Sequence, residues 1–446
     1  MRNLSRVAGW AALLALSNIA PALADSSAPA ATIESGGRTR AISALDAATL
    51  LMQAGRLDDA KKVLLALQKA TPNDSQVLFM LAMIYVEQKD YPSDIRLFRR
   101  ILVREPGVAR VRLELARAFF LDRDYDNAER QFRFARAAKL PPAVMANIDH
   151  YLYAIRQARR WSYSLSVAVA PDTNLNAGPT ISQIDIFGLP FNLSDQTRQH
   201  SGVGAAVDMG GDWAAPIGAH TRLHAGLQFH SLTYPNSAYD DMTLAANLGP
   251  EFIFRRWDVS PGFTAFRRWY GGKAYNQGVG ASLGAIYYVN SRFGVTGSVG
   301  GQQISYPLQP SQNGPALSGG LGAFYTPSPV SIVRGNITVT RQSAQLAAYA
   351  YTASQLTLGY DRDLPGGFSA SIEPGYTRID YDAALAAFPV VRSDRQWTAQ
   401  VTLLNRRIDV AGFTPRFLYA FTRNDSDIPL YSFERNRFEI GVTRIF

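Results

Sequence analysis

The sequence predicts an α + β multidomain chain: N-terminal α-helical repeats over 38–160, then a C-terminal 14-stranded antiparallel transmembrane β-barrel over 161–446. Three observations predict it. Residue types recur every 34 positions in the first part, period-two alternation replaces that pattern after Trp161, and the excess positive charge stops at the same place. Arg38–Arg160 carries 22 basic and 14 acidic residues, whereas Trp161–Phe446 carries 21 and 20. A charge asymmetry of this kind marks a boundary.

The chain of 446 residues is too long for one core. It has no cysteine, which excludes a disulfide scaffold, a thiolate metal site, a cysteine nucleophile and a lipidated N-terminal cysteine. No central apolar run reaches the ~18 residues of a membrane helix. Residues 1–24 read as a secretory signal peptide: Arg2 and Arg6 precede the apolar Val7–Ile19, and Ala22-Leu23-Ala24 supplies the small residues of a cleavage site. Residues 25–37, rich in Ser, Ala and Gly, read as a flexible leader.

The repeat comes next. Leu57, Tyr91 and Tyr125 stand 34 apart, as do Ala48, Ala82 and Ala116, and as do Leu51, Tyr85 and Phe119. Pro72 and Pro106 keep the interval and Pro141 follows one residue late; Ala60 and Ala128 match, with Asp94 between them as the exception. This is the tetratricopeptide period. A small alanine lets two helices approach, a large residue three positions on fills the gap beside it, and the proline stops the second helix. The pattern predicts helices over 41–54, 58–70, 75–88, 92–104, 109–121, 125–138 and 142–158, the last a capping helix. Stacks of this type present a concave face to peptide or protein segments. The basic balance points to an acidic partner, and export excludes nucleic acid.

From Trp161 onward, apolar residues alternate with small or polar ones. Tyr163, Leu165, Val167 and Val169 alternate with serines and Ala168, and Phe438, Ile440 and Val442 with Glu439, Gly441 and Thr443. Fourteen such segments are predicted, starting near 161, 200, 220, 239, 257, 275, 292, 315, 330, 350, 367, 393, 407 and 433. Segments of about 10 alternating residues separated by turns are the pattern of an outer-membrane barrel. Short connections such as Asn290-Ser291 alternate with long ones such as 171–199, which puts both termini and the repeats in the periplasm. Trp213, Trp257, Trp269, Tyr270, Tyr287, Tyr288, Tyr325 and Tyr360 sit at strand ends and are expected in interfacial girdles. Phe446 closes an alternating strand, as in the C-terminal signal of outer-membrane barrels, although Arg444 departs from its commonest form.

The inward positions of strands six to eight are small, Gly280, Gly284, Ser298 and Gly320 among them. They leave room for a passage or a plug; equally, the glycines ease barrel curvature. No enzyme, cofactor or metal site is expected. His224 and His230 share a strand face but are roughly 20 Å apart by strand rise, too far for one ion. The pairs Asp361/Asp363, Asp380/Asp382 and Asp425/Asp427 read as solvated loop-edge carboxylates, with calcium as the sharper alternative.

Tetratricopeptide repeats before a fourteen-strand barrel resemble the Slam family, surface lipoprotein assembly modulators that serve as outer-membrane translocons of type XI secretion. Two local stretches add to this. Pro171-Asp172-Thr173-Asn174-Leu175-Asn176 is similar to the family's Asp-x-Asn-x-Asn after the first strand, and Glu434–Phe446 to its closing strand. The resemblance implies a cargo protein, a surface lipoprotein or secreted relative, engaged by the repeats and passed by the barrel. It also implies outer-membrane lipid, the barrel-assembly machinery and periplasmic chaperones as partners. Cargo-contact candidates are Tyr85, Arg96, Arg99, Arg112, Arg117 and Phe119; Asp172, Asn174 and Asn176 shape the first loop or cap a turn. The alternative reading is a polysaccharide export porin with tetratricopeptide repeats, against which only three repeats and a small, polar lumen count. A passive porin with an accessory domain is the third.

Overall fold

Asp90 and Asp124 stand one repeat apart and do the same work. Each accepts the backbone N–H three residues on, from Ser93 at 3.3 Å and Asn127 at 3.2 Å, and so starts a helix. The turn before each is also shared. Gly55, Lys89 and Arg123, again 34 apart, all take the left-handed conformation, with φ of 74°, 61° and 65°. Glycine does this freely; the other two strain a Cβ against the backbone.

The structure is a computed structural model that describes residues 30–33, 40–138, 140–186 and 189–445. The expected signal peptide, most of the leader and Phe446 lie outside the described residues. The chain falls into two units, one ending at Ile84 and one running from Tyr85 to the C-terminus. In the first, a short strand pair Ala30–Ile33 and Arg40–Ser43 precedes α1 (Ala44–Gln53) and α2 (Leu57–Ala70). Ala48 and Ala60, both fully buried, let α1 and α2 pack. Helix α3 (Ser75–Glu87) crosses the unit boundary. The second unit holds α4 (Tyr91–Arg104), α5 (Ala109–Leu121), α6 (Tyr125–Arg136), α7 (Pro142–Ala158) and the barrel. Phe98, Leu115, Ala116, Ala128 and Phe132 form the buried seams of these helices.

The barrel closes fourteen antiparallel strands, each paired with the next and the last with the first. They are β1 (Trp161–Asp172), β2 (Gly202–Pro216), β3 (Thr221–Thr233), β4 (Asp241–Ile253), β5 (Trp257–Tyr270), β6 (Lys273–Tyr288) and β7 (Phe293–Ser305). Then come β8 (Gly314–Ser328), β9 (Ser331–Gln342), β10 (Tyr351–Asp363), β11 (Phe368–Tyr381), β12 (Ser393–Asn405), β13 (Thr414–Ser426) and β14 (Phe433–Ile445). Strand β13 begins seven residues later than the alternation suggests. Asp409 accepts the Gly412 N–H at 2.8 Å, and Ala411 and Gly412 have positive φ, so this stretch is a turn.

The outer face is apolar and exposed, with Phe263, Val279, Leu317 and Leu321 each more than 60% open. Such a surface belongs in lipid. Trp213, Trp257, Tyr287, Tyr325 and Trp269 lie near strand ends, on the parity of these exposed residues. Tyr288 and Tyr270 do not belong with them: each takes the opposite parity, and the Tyr288 hydroxyl donates to Asp258 at 3.0 Å. At the closing seam, pairing runs from Ile445↔Ser164 to Ile440↔Val169 and resumes only at Arg437↔Asp172. Pro171, with no N–H to offer, lies in the gap.

Candidate functional site

Pairing register decides what the lumen wall looks like. Ser298 lies opposite Gly284 on one side and Gly320 on the other, so three of the four predicted lumen residues form a single row. The row extends to Ser260 on β5 and through Thr338 on β9 to Gln355 on β10. Gly280 sits four residues along β6 from Gly284, opposite Gln302. This part of the wall carries no charge along the row, and a Cβ on Gly284 would meet almost nothing.

The facing wall is charged. On β13, β14 and β2, Arg416 pairs with Asp208 at 3.3 Å and Glu439 at 3.3 Å, and Arg437 lies 3.2 Å from Glu439. His230 contacts Asp208 at 2.6 Å and His224 contacts Asp212 at 3.1 Å. The two histidines thus take separate carboxylates from β2 rather than a common partner. The six D-x-D aspartates are each met by arginine: Asp361 by Arg334, Asp380 by Arg378, Asp382 by Arg341, Asp425 by Arg423, Asp427 by Arg395, and Asp363 by two.

At the long-loop end, Asp172 is 3% exposed and accepts from Arg435, from the Tyr234 hydroxyl at 3.1 Å and from the Asn174 N–H at 2.9 Å. Burial, then the Asp172 charge, pushes the Tyr234 hydroxyl up to about 12. Asn174 is fully buried; its amide donates to the Gly178 and Glu434 carbonyls, both at 2.9 Å. Asn176 donates to the Arg198 carbonyl at 2.7 Å. The three motif residues therefore tie the first loop to itself and to β14.

At the short-turn end, the later helices rest on the barrel. The Tyr153 hydroxyl on α7 donates to the Ala219 carbonyl in the β2–β3 turn at 3.0 Å. Arg99 on α4 pairs with Asp409 in the β12–β13 turn at 2.9 Å. Arg112 on α5 and Arg130 on α6 take the two oxygens of Asp363, at 3.2 and 2.9 Å, where β10 ends. The β2–β3 and β10–β11 turns lie nearly opposite each other on the ring, so these helices lie across the mouth.

This placement changes the roles open to the cargo candidates. Arg112 is 2% exposed and bonded to the Gln131 amide oxygen and the Pro106 carbonyl as well as Asp363; burial lowers its pKa. Arg99 holds the barrel turn, and Phe119 is buried under it, 5.4 Å from its guanidinium. Tyr85 is half-buried. Arg96 is exposed and bonds only locally, to Ser93, while half-buried Arg117 lies 3.7 Å from Glu114. Of the six, Arg96 alone is openly presented. Asp94, the exception to the alanine pattern, is fully buried, and neither carboxylate oxygen has a side-chain hydrogen-bond partner. Burial, then Asp122 and Asp90, raises it to about 7. Sequence reasoning does not reach Asp363 and Asp409 as partners, because nothing local links them to helices hundreds of residues earlier.

Comparison with known proteins agrees with this architecture. Residues 161–446 match the family described as "Surface lipoprotein assembly modifier", and residues 42–132 match that family's "N-terminal TPR repeats". A surface lipoprotein assembly modifier of Pasteurella multocida is 22% identical over 401 residues, covering 85% of this chain and 78% of its own. One of Moraxella catarrhalis is 24% identical over 396 residues, covering 86% and 76%. Among solved structures, the outer membrane channel DcaP of Acinetobacter baumannii aligns with 64% of this chain and 96% of its own, at 10% identity and a TM-score of 0.38. With its whole barrel matched and its repeats matched besides, the chain belongs to the surface lipoprotein assembly modifier family.

Proposed function

We propose that this protein is an outer-membrane translocon that moves surface lipoproteins, or related secreted proteins, across the outer membrane. The repeats stand in the periplasm and engage cargo; the barrel is the route. The observation that carries the reading is the pairing of Arg112 and Arg130 with Asp363, which holds a repeat stack at the mouth of the barrel. A stack made to bind polypeptide then controls what reaches the lumen. Outer-membrane lipid surrounds the exposed apolar band, the barrel-assembly machinery inserts it, and periplasmic chaperones deliver the cargo. No ATP is available there, so folding of cargo outside, or chaperone hand-off, supplies the drive.

The test is surface display of a co-expressed lipoprotein in a Gram-negative host, read by antibody on intact cells, with and without residues 38–160. The proposal expects display to need both parts. A lipoprotein that stays inside while the intact barrel is correctly inserted sinks it and moves polymer export forward.

A further inference from the structure

The joint between helices and barrel holds more positive charge than its carboxylates answer. Asp363 is already engaged at both oxygens: Arg112 bonds one, and Arg130 and the Ser369 hydroxyl, at 2.7 Å, bond the other. Asp409 is held by Arg99 and the Gly412 N–H. Asp126 and Glu129 on α6 are taken by Arg159 and Arg133. Arg406, in the β12–β13 turn, is left with one side-chain bond, from its Nε to the Ser369 hydroxyl at 3.0 Å; among the described residues it has no ion pair. Burial first, then the Arg130, Arg99 and Arg112 charges, lower its pKa to about 9, against the pull of Asp363. Nη1 of Arg130 is buried without a partner.

Two cavities meet at these groups. One, of about 440 Å³, lies between α4–α6 and the barrel turns, with Leu102, Phe119 and Leu364 among its apolar lining, Asp122 and Asp124 on its helix side and Arg406 on its turn side. The other, of about 610 Å³, lies on the lumen side, walled by Ser371, Thr402 and Leu404. Arg406 and Asp363 line both. A guanidinium with no direct ion pair in a confined space favours an anion, and a planar fork favours a carboxylate. The apolar lining of the first cavity suits side chains that accompany such a carboxylate.

We propose that Arg406 and Arg130 form a carboxylate-binding site at the barrel mouth that takes an acidic segment of a polypeptide on its way from the repeat face to the lumen. This rests on the translocon reading. Bound there, a carboxylate partners Arg406 and competes with Asp363 for Arg130, so the same contact that holds cargo loosens the helices from the turn.

The test uses the purified full chain in detergent and two fluorophore-labelled acetylated peptides, hexaglutamate and hexaglutamine, with binding followed by anisotropy at low and high salt. Loss of one charge-assisted bond of about 1.4 kcal/mol is tenfold in affinity. Hexaglutamate is expected to bind, more weakly as salt rises, while hexaglutamine does not. Arg406→Gln should weaken hexaglutamate about tenfold and Arg406→Lys by less. Heat-modifiable gel migration checks that each variant keeps its barrel. Hexaglutamate binding that is absent in the wild type, unchanged in both Arg406→Gln and Arg130→Gln, or matched by hexaglutamine overturns the site. Absent binding with display intact refutes the site alone; intact binding with no display refutes the translocon reading alone.

Discussion

Arg435 grips the Asp172 carboxylate across the seam where the last strand meets the first, with Nε at 2.9 Å and Nη2 at 2.6 Å. It does so just beyond the gap at Pro171, where the backbone ladder lapses. Side-chain pairing there takes over from missing main-chain bonds. Breaking a buried pair costs about 3–5 kcal/mol, and less where one partner is 24% exposed, as Arg435 is. Asp172→Ala should therefore lower the temperature at which the folded barrel converts to the unfolded gel form. A double substitution with Arg435→Ala should cost less than the two single ones added together. Strict additivity would show that the pair is not coupled.

The contact of Arg112 and Arg130 with Asp363 predicts a latch. Asp363→Ala removes the shared acceptor and leaves Arg112 buried without its charge partner. Steady conductance of the reconstituted barrel should rise, and trypsin should cut α5 and α6 sooner. Equal conductance in wild type and variant would mean that the helices do not limit access to the lumen.

Asp94 predicts a pH dependence with a definite sign. Its folded pKa, about 7, exceeds the ordinary carboxyl value of 3.8, so the folded helices hold the proton that the unfolded chain releases. Its stabilising effect is complete below pH ~4 and is lost as pH rises through about 7, at about 1.4 kcal/mol for each pH step between the two values. Helix stability measured by urea unfolding should fall between pH 5 and 8 in the wild type. Asp94→Ala, which restores the residue found at 60 and 128, should stabilise the helices at pH 8 and flatten that slope.

Lys89 holds a left-handed conformation that Gly55 holds freely one repeat earlier. Lys89→Gly removes a Cβ clash worth about 1–2 kcal/mol and adds chain entropy to the unfolded state worth roughly 0.5–1 kcal/mol. A net gain of about 0.5–1 kcal/mol in urea unfolding is expected from these two effects. A loss would mean that the Lys89 side chain makes a contact worth more than the relief.

The translocon reading predicts that cargo passes unfolded. A cargo lipoprotein that carries an engineered internal disulfide should appear on intact cells only when a reductant is supplied before export. Normal display of the locked cargo would rule out passage of an unfolded chain.

Much of this architecture was legible in the sequence because its determinants are periodic. Ala48, Ala82 and Ala116 repeat with the helices, and the alternation at Val167–Val169 or Phe438–Val442 repeats with the pleat. Where a local exception intervenes, periodicity misleads: the Asp409–Gly412 turn delays β13, and Tyr288 turns to Asp258 instead of lipid. The candidate site was less legible, since its contacts are long-range. Nothing near Arg112 announces that its carboxylate lies 251 residues later. Asp172, Asn174 and Asn176 stand out as a motif, but their partners on β14 are visible only once the ring closes.

The row from Ser260 through Gly284, Ser298, Gly320 and Thr338 has a kinetic meaning. Glycine, serine and threonine present no charge and little apolar surface, so no single side chain sliding past them meets a deep energy well. A chain crossing such a wall meets friction that is low and nearly independent of its sequence. On the translocon reading, selectivity then falls to the mouth and to the charged wall of Arg416, Asp208 and Glu439 opposite, while this side of the lumen offers an admitted segment little to hold it.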